Sequence, residues 1–177
     1  MKNSIKTYTY VIFASLALCA VSLSPAQSYP SRPIRAVVPY TPGGITDVVT
    51  RIVAQEISKA VSQNVLVDNR PGANSILGVE IVSKATPDGH TLASARVNVT
   101  GGTWVGWLAP VGAPKAAVDC LGAEIQQIFK RQDGRERFVQ MGIDPVDSSP
   151  ADFDKFLRAE VAKGAKVIKE AGVKVGN

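Results

Sequence analysis

Histidine and cysteine are almost missing from this chain: His90 is the single histidine, and Cys19 and Cys120 are the two cysteines. That excludes a zinc site of ordinary type, which draws its ligands from several such side chains. No GxSxG turn occurs, and the acidic residues are scattered over helical stretches without a pair, so the residues offer no basis for catalysis. Aromatic residues make up only 6% of the chain. None alternates with Lys155, Lys163, Lys166, Lys169 or Lys174 as single-stranded nucleic-acid binding requires, and those lysines, interleaved with Glu and Asp, read as a solvated helix face. Phosphate-binding glycine patterns are missing too: there is neither a P-loop nor a GxGxxG. The sequence asks for no metal, no cofactor and no nucleic acid.

Long apolar runs are also lacking. Residues 11–21 (VIFASLALCAV) form a run too short to cross a hydrocarbon core of roughly 30 Å. With Lys2 and Lys6 before it and Ser24-Pro25-Ala26 after it, residues 1–26 read as a secretory signal peptide. An uncleaved anchor is the alternative. A lipoprotein signal ending at Cys19 is a further one, opposed by the bulky Leu18 before that cysteine. Cleavage after Ala26 leaves residues 27–177, enough for one domain with a hydrophobic core and too little for two full α/β lobes. Cys120 then has no cysteine to pair with. As a nucleophile it would depend on His90 for a base; as a small residue on a helix it needs nothing. The net charge of +5 falls to +3 without Lys2 and Lys6, which suits an anionic ligand without demanding one.

What remains has α/β grammar. Residues 33–40 (PIRAVVPY) read as a buried strand of a parallel sheet. Thr46 is expected to cap a helix that begins at Asp47, whose charge complements the helix dipole; Val49, Ile52, Val53, Ile57, Ala60 and Val61 give that helix one apolar face. A second strand over 64–67, a helix marked by Ile76, Leu77, Ile81 and Val82, and a short strand over 91–93 follow. Strand, helix, strand, helix, strand predicts a parallel sheet with right-handed crossovers. Residues 96–103 are expected to be irregular, and 104–108 to return as a strand. Pro114 opens a helix carrying Val118, Leu121, Ile125 and Ile128, and a shorter helix is expected over 134–141. Ser149, Pro150 and Asp152 start a last helix with the stripe Phe153, Leu157, Val161 and Ile168, and Gly172 lies past its end.

Two loops at strand ends are candidate sites. Tyr40, Thr41, Pro42, Gly43, Gly44, Ile45, Thr46 and Asp47 join a strand to a helix N-terminus, where open α/β sheets bind ligands. The two glycines admit a ligand to the backbone, and the helix N–H groups favour an anion such as a carboxylate. On the residues alone, a Pro-Gly-Gly turn that only reverses the chain is equally open. The second loop runs from Asn69 through Arg70, Pro71, Gly72 and Ala73 to Asn74; the Arg70 guanidinium can fork onto a carboxylate or pair with Asp68 or solvent.

The ordered motifs 29–35 (YPSRPIR), 38–44 (VPYTPGG) with Thr46-Asp47, 69–73 (NRPGA) and 87–92 (PDGHTL) resemble the extracytoplasmic solute receptors of tripartite tricarboxylate transporters, also called Bug receptors. The tail is similar too: 104–114 (WVGWLAPVGAP), the helix after it, 142–146 (GIDPV) and the helix over 153–171. The resemblance implies a periplasmic-binding-protein-like α/β fold, a parallel sheet flanked by helices. It also implies a receptor that captures a small carboxylate, such as a di- or tricarboxylate or an amino acid, and hands it to a membrane permease. By the same resemblance the loop from Tyr40 to Asp47 holds the ligand carboxylate, largely through backbone groups and water, with Arg70, Gly72 and Ala73 nearby. Ile45 stands where many members carry a third small residue.

The family's second lobe lies between the two parts present here. The resemblance therefore implies one incomplete lobe over 27–177, made of an N-terminal receptor segment, 27–100, and a C-terminal one, 101–177. Half of the binding shell would then be absent and closure would have no second body. The alternatives are a structural or interaction module, including self-association through the surface left uncovered, and an inactive remnant.

Overall fold

The computed structural model describes residues 29–99 and 102–171. The expected signal segment with Cys19, the segment boundary at 100–101, and Gly172 lie outside the described residues.

Four strands form one sheet in the order β2-β1-β3-β4. Strand β1 (Ile34–Val38) lies between β2 (Val65–Asn69) and β3 (Thr91–Val99) and runs parallel to both, while β4 (Gly102–Leu108) pairs antiparallel with β3. Ile34, Ala36, Val37 and Val38 are fully buried, which explains the apolar character of the central strand, interrupted only by Arg35.

Among the described residues the sheet is accompanied by five α-helices: α1 (Ile45–Val61), α2 (Ile76–Ser83), α3 (Lys115–Lys130), α4 (Gln132–Gln140) and α5 (Pro150–Glu170). Val49, Val53 and Ile57 of α1 pack with Ile34 and Leu92 of the sheet, Leu121 and Ile128 of α3, and Phe138 of α4. Each such side chain contributes about 1.5–3 kcal/mol on full burial. On the other face, Val82 of α2 packs on Val37 and Ala93. That contact depends on Gly78, where a β-carbon would stand 2.6 Å from the Pro39 side chain.

Three features differ from the sequence reading. Helix α1 starts at Ile45 with Gly44, not Thr46, as N-cap residue, because Gly43 turns the chain at φ +83°. Thr46 is buried in the first turn, and its carbonyl accepts from the Thr50 hydroxyl at 2.6 Å. Secondly, β3 continues through Val99 and pairs with β4 from Ala93↔Leu108 to Val99↔Gly102, so most of the expected irregular stretch is strand and the sheet is mixed. Thirdly, α5 begins as expected, with the Ser149 hydroxyl accepting from the Asp152 N–H at 3.1 Å and donating to its carboxylate at 2.6 Å. Yet its apolar stripe is only partly covered. Phe153 sits over Gly106 of β4 and makes an edge-to-face contact with Trp104, whereas Val161 is 65% exposed.

Candidate functional site

The chain leaves β1 at the carboxyl end of the parallel strands, where residues 39–44 lead into α1. Thr41, Pro42, Gly43, Gly44 and Ile45 are exposed. The first N–H groups of a helix have no intrahelical acceptor, and the earliest helical bond here runs from the Val48 N–H to the Gly44 carbonyl at 3.0 Å. The loop therefore presents peptide N–H groups of α1's first turn at the positive end of its dipole.

Asp47 fixes this loop. Its carboxylate accepts from the Gly43 N–H at 2.9 Å, from the Asn69 amide at 2.9 Å and from Arg51 Nε at 3.0 Å, with a second Arg51 contact at 3.0 Å. Asn69, at the end of β2, also donates to the Tyr40 carbonyl at 3.2 Å and accepts from Arg51 at 2.9 Å. Asp47 is 3% exposed. Burial alone would raise its pKa, but the hydrogen bonds from Arg51, Gly43 and Asn69 outweigh it and hold the carboxyl at about 2. With its oxygens committed to protein donors, Asp47 shapes the loop rather than reaching beyond it.

Tyr40 is tied to β3. Its hydroxyl donates to the Arg96 carbonyl at 2.7 Å and accepts from the Arg96 N–H at 3.3 Å, and the Arg96 guanidinium carbon lies 5.1 Å from the Tyr40 ring centre. The second loop is built differently. The Arg70 N–H donates to the Val38 carbonyl at 2.8 Å, continuing the ladder, but its guanidinium pairs with Asp68 at 2.9 Å. Asp68 also takes Arg35 at 2.6 Å. Its pKa is lowered, since the two guanidiniums outweigh the opposing effect of burial. Gly72 and Ala73 are exposed, and Ala73, Asn74 and Ser75 all have left-handed φ, at 45°, 52° and 78°.

Of the residues singled out in the sequence, Tyr40, Gly43 and Asp47 are thus joined in one hydrogen-bonded cluster, Thr41, Pro42 and Gly44 line its exposed rim, and Thr46 is buried beneath it. Arg70 is turned to Asp68. The sequence reading missed Arg51 and Arg96, and it placed Asn69 in the second loop rather than in this cluster. Asn69 had a signal in its place at the end of β2, in register with Val38.

Cys120 is half-buried, and burial, with Glu124 beside it, raises its thiol pKa, opposite to what a nucleophile needs. His90 packs edge-on to Tyr29, its backbone N–H donates to the Asp88 carboxylate at 2.9 Å, and its Nδ1 lies 3.1 Å from the Asp88 carbonyl. Among the described residues no three His, Cys, Asp or Glu side chains gather as a metal site, and no helix is long and apolar enough to cross a membrane. One shallow groove follows the exposed face of α5 from Asp154 to Ala165, and another lies between Arg51 and Val67; neither is lined by residues 40–47.

Two solved structures described as periplasmic share this fold. A periplasmic transporter superposes with a TM-score of 0.75 at 17% identity, over 83% of this chain and 99% of that one. The periplasmic binding protein BugD gives 0.72 at 17% identity, over 82% and 99%. They define the class: an α/β fold of the periplasmic binding protein type. Residues 49–102 match the family model of the tripartite tricarboxylate transporter family receptor. The UPF0065 protein in the tcbD–tcbE intergenic region of Pseudomonas sp. (strain P51) is 40% identical over 94 residues, 51% of this chain and 27% of that protein. Protein BugT of Bordetella pertussis is 42% identical over 81 residues, 46% of this chain and 24% of that one. The chain is similar to this receptor family over that segment, and its match spans about a quarter of the length of those curated relatives.

Proposed function

We propose that the protein is a periplasmic solute-binding receptor for a small organic carboxylate, a di- or tricarboxylate or an amino acid, exported by its N-terminal segment and serving a membrane permease. One observation carries the reading: the Asp47-pinned loop holds the first-turn N–H groups of α1 at the carboxyl end of the parallel strands. A neighbour of the same fold from R. palustris was solved with adipate, at a TM-score of 0.72 and 17% identity. The site is built from a single lobe, with 27–100 and 101–177 as its two segments. Its ligand remains partly hydrated, and its affinity is modest.

Thermal unfolding with and without millimolar di- and tricarboxylates and amino acids tests this. Ligand at a hundred times its dissociation constant stabilises the native state by about 2.7 kcal/mol, a shift of several degrees. A cooperative melt that no carboxylate moves refutes the reading. Mass spectrometry of the periplasmic fraction is expected to find a chain beginning at Gln27.

A second reading rests on α5, where Val161, Val167 and Ile168 are 65%, 51% and 42% exposed. A second copy of the chain would cover this apolar face. Sedimentation that is independent of concentration rejects self-association through this face.

A further inference from the structure

We propose that Arg96 is the counter-ion for a carboxylate of the bound solute, an assignment that rests on the receptor reading. Every other arginine of the chain has an acidic partner within 4.0 Å, whereas Arg96 forms no ion pair among the described residues. Its Nε is buried and has no hydrogen-bond acceptor. The guanidinium has no acid to neutralise it among the described residues, and an arriving carboxylate supplies one at its terminal N–H groups.

The side chain is held ready. Tyr40 stacks on the guanidinium, and its hydroxyl brackets the Arg96 N–H and carbonyl, which fixes both the plane and the strand that carries it. Arg96 also stands level with the first turn of α1. The Thr50 and Ser94 hydroxyls are hydrogen-bonded at 2.6 Å, placing the second turn of α1 beside β3 two residues before Arg96. Helix and strand run in opposite senses across the crossover. Two residues along β3, about 6.6 Å, therefore correspond to four residues back along α1, about 6 Å. That step leads from Ser94 to Arg96 and from Thr50 to Thr46. The planar fork of Arg96 and the free N–H groups of α1 converge on one anion, and a carboxylate matches both.

The test is calorimetric titration of the whole chain with succinate, glutarate and adipate, and with their uncharged diamides. The wild type and the Arg96→Gln and Arg96→Lys variants are compared, with melting curves recorded for each. The expected result is a wild type that prefers the carboxylates, and an Arg96→Gln variant that binds them about 10- to 100-fold more weakly. Its diamide binding should be unchanged, and Arg96→Lys should retain part of the affinity. An Arg96→Gln variant with wild-type carboxylate affinity overturns the assignment while leaving the receptor reading intact. So does a wild type that binds the diamides equally well, a comparison that needs no variant to fold. Should no carboxylate bind the wild type, the receptor reading fails and the assignment with it.

Discussion

Replacing Asp47 with Asn is the sharpest perturbation of the loop, because Asn has the shape of a protonated Asp. The folded carboxyl titrates at about 2 against an ordinary 3.8. A gap of that size corresponds to about 2 kcal/mol of stability from the ionised form at neutral pH. The folded pKa is depressed, so this stabilisation is complete above the unfolded value and disappears as pH falls towards 2. Asp47→Asn should therefore be less stable than wild type by about 2 kcal/mol at pH 7, or about 4–8 °C in melting temperature for a domain of this size. The difference should begin to shrink below about pH 5, fall to about half by pH 3 and nearly vanish only at pH 2 and below. Acid weakens both proteins. Glu56, hydrogen-bonded by Lys59 and Arg131, is likewise held low, as is Asp68, where Arg35 and Arg70 outweigh burial. The difference between the two proteins isolates Asp47. Urea unfolding followed by tryptophan fluorescence at pH 7, 5, 4 and 3 gives it directly. A difference that stays constant from pH 7 to 3 would refute the argument that ionic hydrogen bonds hold this loop.

Gly106→Val should lower stability by about 1–3 kcal/mol and speed proteolysis within α5, because a β-carbon there meets the Phe153 ring at 2.2 Å. Gly164→Ala, where nothing lies within 4 Å, is the control and should raise the melting temperature slightly. Cys120 should react with a thiol reagent at pH 7.5 much more slowly in the native chain than in urea, since its thiol pKa is raised. Carboxylate binding should weaken between 0.01 and 0.15 M salt, as the screening length falls from about 30 to 8 Å; calorimetry at the two ionic strengths reads this out.

Much of the fold was legible because local signals agreed with the global arrangement. The run from Ile34 to Val38 reads as buried strand and is buried on both faces, and Ser149-Pro150 with Asp152 fixes the start of α5. The miss at β3 and β4 came from composition outweighing period. Arg96, Val97, Asn98 and Val99 alternate polar and apolar as a strand does, but the Gly101-Gly102 pair drew the reading towards a loop. The start of α1 moved because Gly43 and Gly44 compress the turn, leaving Thr46 inside the helix. The Asp47–Asn69–Arg51 cluster joins positions 18 to 22 residues apart, and Arg96 meets Tyr40 across 56, so only the parallel pairing of β1 with its neighbours brings them together.

The charge at the strand ends follows from how the acids are shared. Asp47 would repel an anion at the N-terminus of α1, but Arg51 forks onto it and cancels the charge locally. Asp68 takes both Arg35 and Arg70, so that cluster carries one positive charge in excess. Arg96 adds another, with no acid to offset it among the described residues. The rim is therefore cationic even though an aspartate lies within its loop, and geometry rather than composition makes it so. Its exposure limits the effect: a pair at 4 Å is worth about 1 kcal/mol in bulk water and about 4 near a protein surface. Residues 41–45 are all exposed, which places an ion pair here nearer the first figure than an enclosed cleft would. Tight binding on this surface requires a second body to exclude water, whereas charge selectivity requires only the unpaired arginine.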